Sequence, residues 1–129
     1  MVRMLVGIFL GMTLVSASAG AEGIKTRDVQ IAINDVFVPD SQKSNGESYV
    51  VISGMFPNSC YSWNRAEVKH VSQSTHEVRV FAKVSEAMCL MVLVPFTKEV
   101  VIGELSRGEH TLKFINGDGT FQERTLNIP

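Results

Sequence analysis

Apolar and polar residues alternate along most of the chain, and groups of turn-forming residues interrupt this alternation at short intervals. In the clearest stretch, Val78, Val80, Ala82 and Val84 occupy every second position, while charged residues and Phe81 occupy the positions between them. A period of two is typical of strands with one face on a core and one face in water. Short strands that recur about every 8 to 12 residues indicate a sandwich or a barrel. We therefore predict an all-β, antiparallel β-sandwich of seven to eight strands.

Two apolar runs do not alternate. They are Tyr49 to Ile52 and Cys89 to Val94, and Pro95 follows the second run. A short continuous apolar run between turn residues is typical of a strand that is buried on both faces. We expect both runs to form strands at the centre of the sandwich, with Pro95 ending the second strand.

Polar segments mark two of the connections between strands. The segment from Asp40 to Glu47 is polar throughout and contains Asn-Gly, which predicts a solvated loop. Near the C-terminus, Asn116-Gly117-Asp118-Gly119 separates two alternating stretches. Asn-Gly and Asp-Gly pairs tolerate the positive φ angles that tight hairpin turns require. The last part of the chain is therefore predicted to be a hairpin, with strands from Glu109 to Ile115 and from Thr120 to Ile128.

The N-terminal segment has the three parts of a secretory signal peptide. Arg3 supplies the positive charge, an apolar run extends from Met4 to Val15, and small residues follow up to Ala21. We predict cleavage after Ala19 or Ala21, so that residues 1–21 are the signal peptide and residues 22–129 are the β-sandwich domain. The apolar run is shorter than the roughly 20 residues of a membrane-spanning helix. The mature protein is therefore expected to be secreted or periplasmic, without a membrane span.

Composition excludes some classes of function. Hydrophobic residues make up 45% of the chain, which is enough to fill one sandwich interior. The formal net charge is −1, and the lysines and arginines are scattered singly along the sequence. A nucleic-acid-binding protein normally carries a basic stripe or cluster. We therefore expect no nucleic-acid partner.

The chain contains two cysteines, Cys60 and Cys89. In an oxidising compartment, an even number of cysteines is more often paired than free. The pair lacks the Cys-x-x-Cys spacing of thiol–disulfide redox sites. We therefore predict a structural Cys60–Cys89 disulfide.

Candidate catalytic residues are few. Three histidines, His70, His76 and His110, could act as bases, but no nucleophile motif such as Gly-x-Ser-x-Gly accompanies them. We therefore expect no enzymatic activity and no cofactor.

A metal site is conceivable at two of these histidines. His70 and His76 flank a predicted turn, so they could face each other across a hairpin with Glu67 or Glu77 in reach. Two histidines and a carboxylate form a ligand set that zinc uses. Histidines beside a turn are more often solvated surface residues, so we predict no metal site, and His70 and His76 are the candidate ligands if one exists.

An aromatic group is the candidate binding patch. Tyr61 and Trp63 share one parity of their predicted strand, and Phe81 lies among charged residues on another. Aromatic side chains with one wet edge are common anchors in protein and glycan interfaces. We predict that Tyr61, Trp63 and Phe81 form a patch, with capping of the sandwich beside the disulfide as the alternative.

Two segments resemble known families. The segment from Leu105 to Phe114 is similar to the Leu-x-x-Gly-x-Tyr pattern of fibronectin type III and related immunoglobulin-like sandwiches, in which the tyrosine side chain bonds back to nearby backbone. His110 stands at the tyrosine position. The segment from Gly54 to Tyr61, followed by a second cysteine before an apolar stretch, resembles small exported bacterial proteins of uncharacterised function. These resemblances imply an immunoglobulin-like sandwich and no particular activity.

Three functions follow as expectations. The first is an exported, non-catalytic binding or structural module of the cell envelope or exterior, with a protein or glycan partner. The second is an inhibitor of a secreted hydrolase that presents a loop such as Ser41 to Glu47. The third is a periplasmic metal-handling protein that uses His70 and His76.

Overall fold

The computed structural model describes residues 23–40 and 46–129, together with Leu14 alone. Within these residues the chain forms strands and no helix, which confirms the predicted all-β sandwich of seven to eight strands. The remainder of the predicted signal peptide lies outside the described residues, and so do residues 41–45. No described helix is long and apolar enough to cross a bilayer. The strands are β1 (Thr26–Gln30), β2 (Asp35–Phe37), β3 (Ser48–Phe56), β4 (Tyr61–His70), β5 (Thr75–Ser85), β6 (Val94–Gly103), β7 (Gly108–Ile115) and β8 (Phe121–Ile128).

The strands form two sheets, of which the larger is organised around β5. Strand β4 pairs along one edge of β5, from Tyr61 opposite Val84 to His70 opposite His76. The other edge is shared, because β1 pairs with the last part of β5 and β7 pairs with its first part. Strand β8 completes this sheet beside β7, and the smaller sheet has the order β2-β3-β6.

One strand pair is parallel, which the alternating pattern does not reveal. Residues 75–78 of β5 run parallel to residues 111–114 of β7, whereas the other pairs between the described strands are antiparallel. Parallel neighbours need a crossover connection instead of a tight turn. The chain provides one here, since β6 lies in the smaller sheet and the next strand returns to the larger sheet.

The N-terminal strand changes sheet. Strand β1 pairs with β5 in the larger sheet, and β2 pairs with β3 in the smaller one. Ile31 and Ile33, between the two strands, are buried in the core. The chain therefore crosses from the larger sheet to the smaller one between Gln30 and Asp35.

The core lies between the two sheets and consists mainly of alternate residues from their inner faces. Phe96 of the smaller sheet stacks on Phe56 with ring centroids 4.5 Å apart. Burying these apolar side chains is the main favourable contribution to folding. The fully buried apolar residues are Val50, Ile52, Val78, Val80, Ala82, Leu112 and Phe114.

The two continuous apolar runs do not behave as predicted. In β3, Val50 and Ile52 are buried but Tyr49 and Val51 are only half-buried, so this strand has one core face. The run from Cys89 to Leu93 is a loop, and β6 begins only at Val94 and continues through Pro95. Pro95 is tolerated because β6 pairs with β3 alone and its other edge has no ladder partner among the described strands.

Gly54 illustrates how tightly the core is packed. A Cβ atom at this position would lie 2.6 Å from Cζ of Phe96 and 3.0 Å from Oδ1 of Asn34. The Phe96 ring is itself confined by Phe56 and by Trp63, whose ring centroid lies 6.0 Å away. The absence of a side chain at Gly54 therefore makes room for the Phe96 ring.

We predict that Gly54→Ala lowers the free energy of unfolding by about 1–3 kcal/mol, because the added methyl group overpacks the core against Phe96. Chemical denaturation of the purified protein measures this change. Gly23→Ala is the matched control, since nothing lies within 4 Å of a Cβ at Gly23. Equal stabilities of the two variants would contradict this account of the core.

Candidate functional site

A disulfide holds the loop between β5 and β6 against the turn before β4. Cys60 and Cys89 are bonded, with their Cα atoms 5.3 Å apart. Two hydrogen bonds reinforce the link: the Ser59 N–H donates to the Leu90 carbonyl at 3.0 Å, and the Leu90 N–H donates to the Ser59 hydroxyl at 2.7 Å. The backbone of this loop is therefore fixed at its centre.

The same loop exposes its side chains. Residues 88–93 contain one cysteine and five bulky apolar residues, and we call this segment the apolar loop. The least exposed of the five apolar side chains, Val92, is still 53% accessible. A soluble domain that keeps so many neighbouring apolar side chains in water normally uses them for binding. The five residues are Met88, Leu90, Met91, Val92 and Leu93.

The aromatic residues of the predicted patch are not brought together on one face. Tyr61 and Trp63 are partly buried and pack against the core, Tyr61 opposite Val84 in the strand pair. Phe81 lies on the outer face of the sheet, where the Arg65 guanidinium covers its ring at 4.3 Å. Tyr61 and Trp63 thus lie against the core, whereas Phe81 lies under Arg65 on the outer face.

A chain of three histidines lies at the other end of β5. Nδ1 of His70 is 2.6 Å from Nδ1 of His76, and Nε2 of His76 is 2.9 Å from Nδ1 of His110. Nε2 of His110 is in turn 2.7 Å from the carbonyl oxygen of Ser106. His76 and His110 are buried, whereas His70 is exposed at the end of β4. Hairpin pairing places the first two rings together, and the parallel pairing of β7 with β5 brings in the third.

The carbonyl of Ser106 determines which nitrogen of each histidine ring carries a proton. A carbonyl only accepts, so Nε2 of His110 carries a proton and Nδ1 of neutral His110 is an acceptor. Nε2 of His76 must then donate to His110, which leaves the lone pair of His76 on Nδ1. Nδ1 of His70 donates to that lone pair. With one proton on each ring, the single backbone acceptor thus assigns the tautomer of all three histidines.

His110 therefore makes the kind of bond that the tyrosine makes in a tyrosine corner. Its ring nitrogen reaches backbone four residues upstream, at Ser106, as the tyrosine hydroxyl does in immunoglobulin-like folds. The immunoglobulin-like type of the sandwich remains a prediction.

An open cleft of about 460 Å³ lies beside the exposed end of the histidine chain. Six of its seven lining residues carry a polar group in the side chain, and the seventh is Leu105. Among the described residues, no group of three or more His, Cys, Asp or Glu side chains is arranged to hold a metal ion. The lining residues are His70, Ser72, Gln73, His76, Glu104, Leu105 and Ser106.

Burial lowers the pKa of His76 below its ordinary value of 6.5, and the charges that His70 and His110 would carry lower it further. The imidazole of His76 is therefore neutral at pH 7, in agreement with its hydrogen bonds. A proton added to Nδ1 of His76 would also remove the acceptor that His70 uses.

A family model described as the ORF11 beta-sandwich domain matches residues 50–128. The chain belongs to this family. The matched region of the ORF11 beta-sandwich domain includes both cysteines, the apolar loop and all three histidines, whereas β1 and β2 precede it. Searches of curated proteins and of solved structures return no match. The family thus supports the β-sandwich and assigns no activity to it.

Sequence reasoning missed the two main features of these sites. The sequence predicts a buried strand at the apolar loop, and the cysteine within the segment, Cys89, was the available signal that a disulfide could fix it without strand pairing. The third histidine was not linked to the other two, because the sequence gives no sign of the parallel pairing that brings His110 to His76.

Replacing both cysteines with alanine is expected to lower the free energy of unfolding by about 3–4 kcal/mol, because the disulfide no longer restricts the unfolded chain across 29 residues of separation. Thermal and urea unfolding measure the loss. Reduction of the unmodified protein provides the matched comparison. A double variant as stable as the oxidised protein would show that the bond does not contribute to stability.

Stability is expected to decrease as the pH falls from about 7.5 to 5.5. Since the pKa of His76 is lower in the folded state, the unfolded chain binds the proton first, and stability is complete above the ordinary pKa of 6.5. It declines as the pH drops through 6.5 toward the lowered value. The groups that face His76 are His70 and His110, with Glu104 also lining the cleft.

Urea unfolding across this pH range tests the expectation. The control is His76→Gln, in which the amide can still donate to His110 but does not titrate. The pH dependence of the variant should be flatter than that of the original protein. If the free energy of unfolding changed with pH equally steeply in both proteins, titrating groups other than His76 would be responsible.

Proposed function

We propose that this ORF11 beta-sandwich domain is an exported, non-catalytic binding module that inserts its apolar loop into a protein partner. The observation that carries the proposal is the exposure of five bulky apolar side chains on a loop whose backbone is fixed by a disulfide and two hydrogen bonds. Export is supported by the signal peptide predicted for residues 1–21 and by the disulfide, which persists in oxidising compartments.

The loop combines two properties that favour tight binding. Its apolar side chains gain free energy when a partner removes them from water, at roughly 25 cal/mol for each Å² buried. Its backbone is already ordered, so less conformational entropy is lost on association. Cys60 and Ser59 provide this order without covering the loop.

The chemistry of the loop favours a protein groove over a lipid surface. Met88 and Met91 have flexible, polarisable side chains that adapt to irregular protein surfaces. Surface-bound segments commonly add lysine or arginine to attract anionic lipid, whereas the charged residue nearest the apolar loop in sequence is Glu86. The formal net charge of −1 adds no general attraction to such a surface.

The histidine bonds support a non-catalytic role. A general base activates a nucleophile by accepting its proton within hydrogen-bond distance. Here the ring nitrogens of His70, His76 and His110 contact one another and a backbone carbonyl. In the part of the chain that the structure describes, these bonds hold the three rings in place, and none of them goes to a nucleophile.

We expect Leu90→Ser/Met91→Ser to weaken partner binding at least about tenfold, because two well-buried anchors of an interface usually contribute more than 1 kcal/mol each. The partner is first captured through a photo-cross-linking amino acid at Met91 in the native envelope. It is then purified and titrated against the original and the variant protein. Both side chains are exposed, so the free energy of unfolding should change by less than about 0.5 kcal/mol.

Phe37→Ser is the matched control, because Phe37 is an exposed apolar residue on β2, away from the apolar loop. It should leave binding unchanged. Equal binding by the original protein and the loop variant would contradict the proposal. Sedimentation with phosphatidylcholine vesicles, with and without phosphatidylglycerol, tests the lipid alternative, and loop-dependent binding to vesicles alone would also overturn it.

If the captured partner is a secreted hydrolase, the proposal narrows to the inhibitor hypothesis. The loop named for it from the sequence, Ser41 to Glu47, includes residues 41–45, which lie outside the described residues. An inhibition assay with the apolar-loop variant would show which loop blocks the enzyme.

A further inference from the structure

The histidine chain leaves one nitrogen lone pair in a defined position. Nδ1 of His76 is unprotonated and faces Nδ1 of His70 across 2.6 Å. The other nitrogen of His76 donates to His110, which donates to the Ser106 carbonyl. Metal-binding histidines almost always use their second nitrogen in this way, and the bond fixes both the ring and its tautomer. His76 is therefore oriented as a metal ligand before any ion binds.

We propose that His70 and His76 bind a divalent transition-metal ion, of the Zn²⁺ or Cu²⁺ class, at the edge of the cleft. The ion replaces the proton on Nδ1 of His70, lies on the cleft side of the two rings, and accepts a lone pair from each Nδ1 atom. The proton of His70 moves through water to its exposed Nε2. Both imidazoles stay neutral, and no net proton is released.

Metal binding requires the His70 ring to move away from His76 and to turn toward the cleft. In a tetrahedral site, metal–nitrogen bonds of about 2.0–2.1 Å place two ligand nitrogens about 3.3 Å apart, so the present separation of 2.6 Å must increase by roughly 0.7 Å. His76 is held by His110, so His70 makes the movement. It is able to do so because it is exposed and ends β4. The two rings already meet edge to face, with an interplanar angle of 82°.

The rest of the coordination shell comes from outside the histidine pair. Since the described residues form no three-ligand cluster, the protein supplies two imidazoles and water fills the open positions. The cleft that borders His70 and His76 is open and has room for this water, and Glu104 also lines it. Imidazole nitrogens suit Zn²⁺, Cu²⁺ and Ni²⁺, whereas Mg²⁺ and Ca²⁺ take oxygen ligands. The site should therefore discriminate between these two groups of ions.

Calorimetric titration of the untagged, chelator-treated protein with ZnCl₂, CuCl₂ and MgCl₂ tests the proposal. We expect one Zn²⁺ or Cu²⁺ per chain and no binding of Mg²⁺. His70→Asn should weaken binding by at least about tenfold, because even the loss of an outer-shell partner weakens metal sites roughly 10- to 100-fold. Lys69→Gln, at the exposed neighbouring position, is the control and should keep the original affinity.

Imidazole ¹⁵N NMR gives a readout that does not depend on a variant. Without metal, the proton of His70 should be on Nδ1; with Zn²⁺, it should be on Nε2, and the Nδ1 signals of His70 and His76 should shift together. His110 should keep its proton on Nε2. Absence of Zn²⁺ and Cu²⁺ binding, unchanged affinity in His70→Asn, or unchanged His70 and His76 signals would each overturn the proposal.

Discussion

The structure depends on the position of β5, which pairs with three other strands and contributes one face to the core. Its buried residues follow strict alternation from His76 to Val84, and its two edges hold β4, β1 and β7. A shift of β5 by one residue would turn these side chains away from the core. Because β5 is held on both edges, its two ends are fixed points from which the candidate sites are built.

Each end of β5 carries one of these sites. At the first end, His76 meets a hairpin partner from β4 and a parallel neighbour from β7, which assembles the histidine chain beside the cleft. Beyond the C-terminal end of β5, the chain enters the apolar loop, which the Cys60–Cys89 bond fixes. The strand is 11 residues long, so at about 3.3 Å per residue the two sites are separated by roughly 30 Å.

The sequence predicts those parts of the fold that depend on the local pattern of apolar, polar and turn-forming residues. The alternation around Val78 and Val80 and the paired Gly turn at residues 116–119 predict a strand and a hairpin that the structure contains. The apolar loop was not predicted, because an apolar run has the same pattern whether it is buried or exposed on a fixed loop. His110 was not joined to His76 because that contact depends on a parallel pairing between strands distant in sequence.

The proposed binding role requires the apolar loop to be both ordered and exposed in the free protein. Backbone ¹⁵N relaxation, combined with a soluble paramagnetic probe of solvent access, measures both properties in one sample. The account predicts order parameters for residues 88–93 close to the roughly 0.85 of rigid backbone, with strong probe effects on the side-chain methyl groups of Met88 and Met91. Order parameters below about 0.6, or methyl groups protected from the probe, would contradict it.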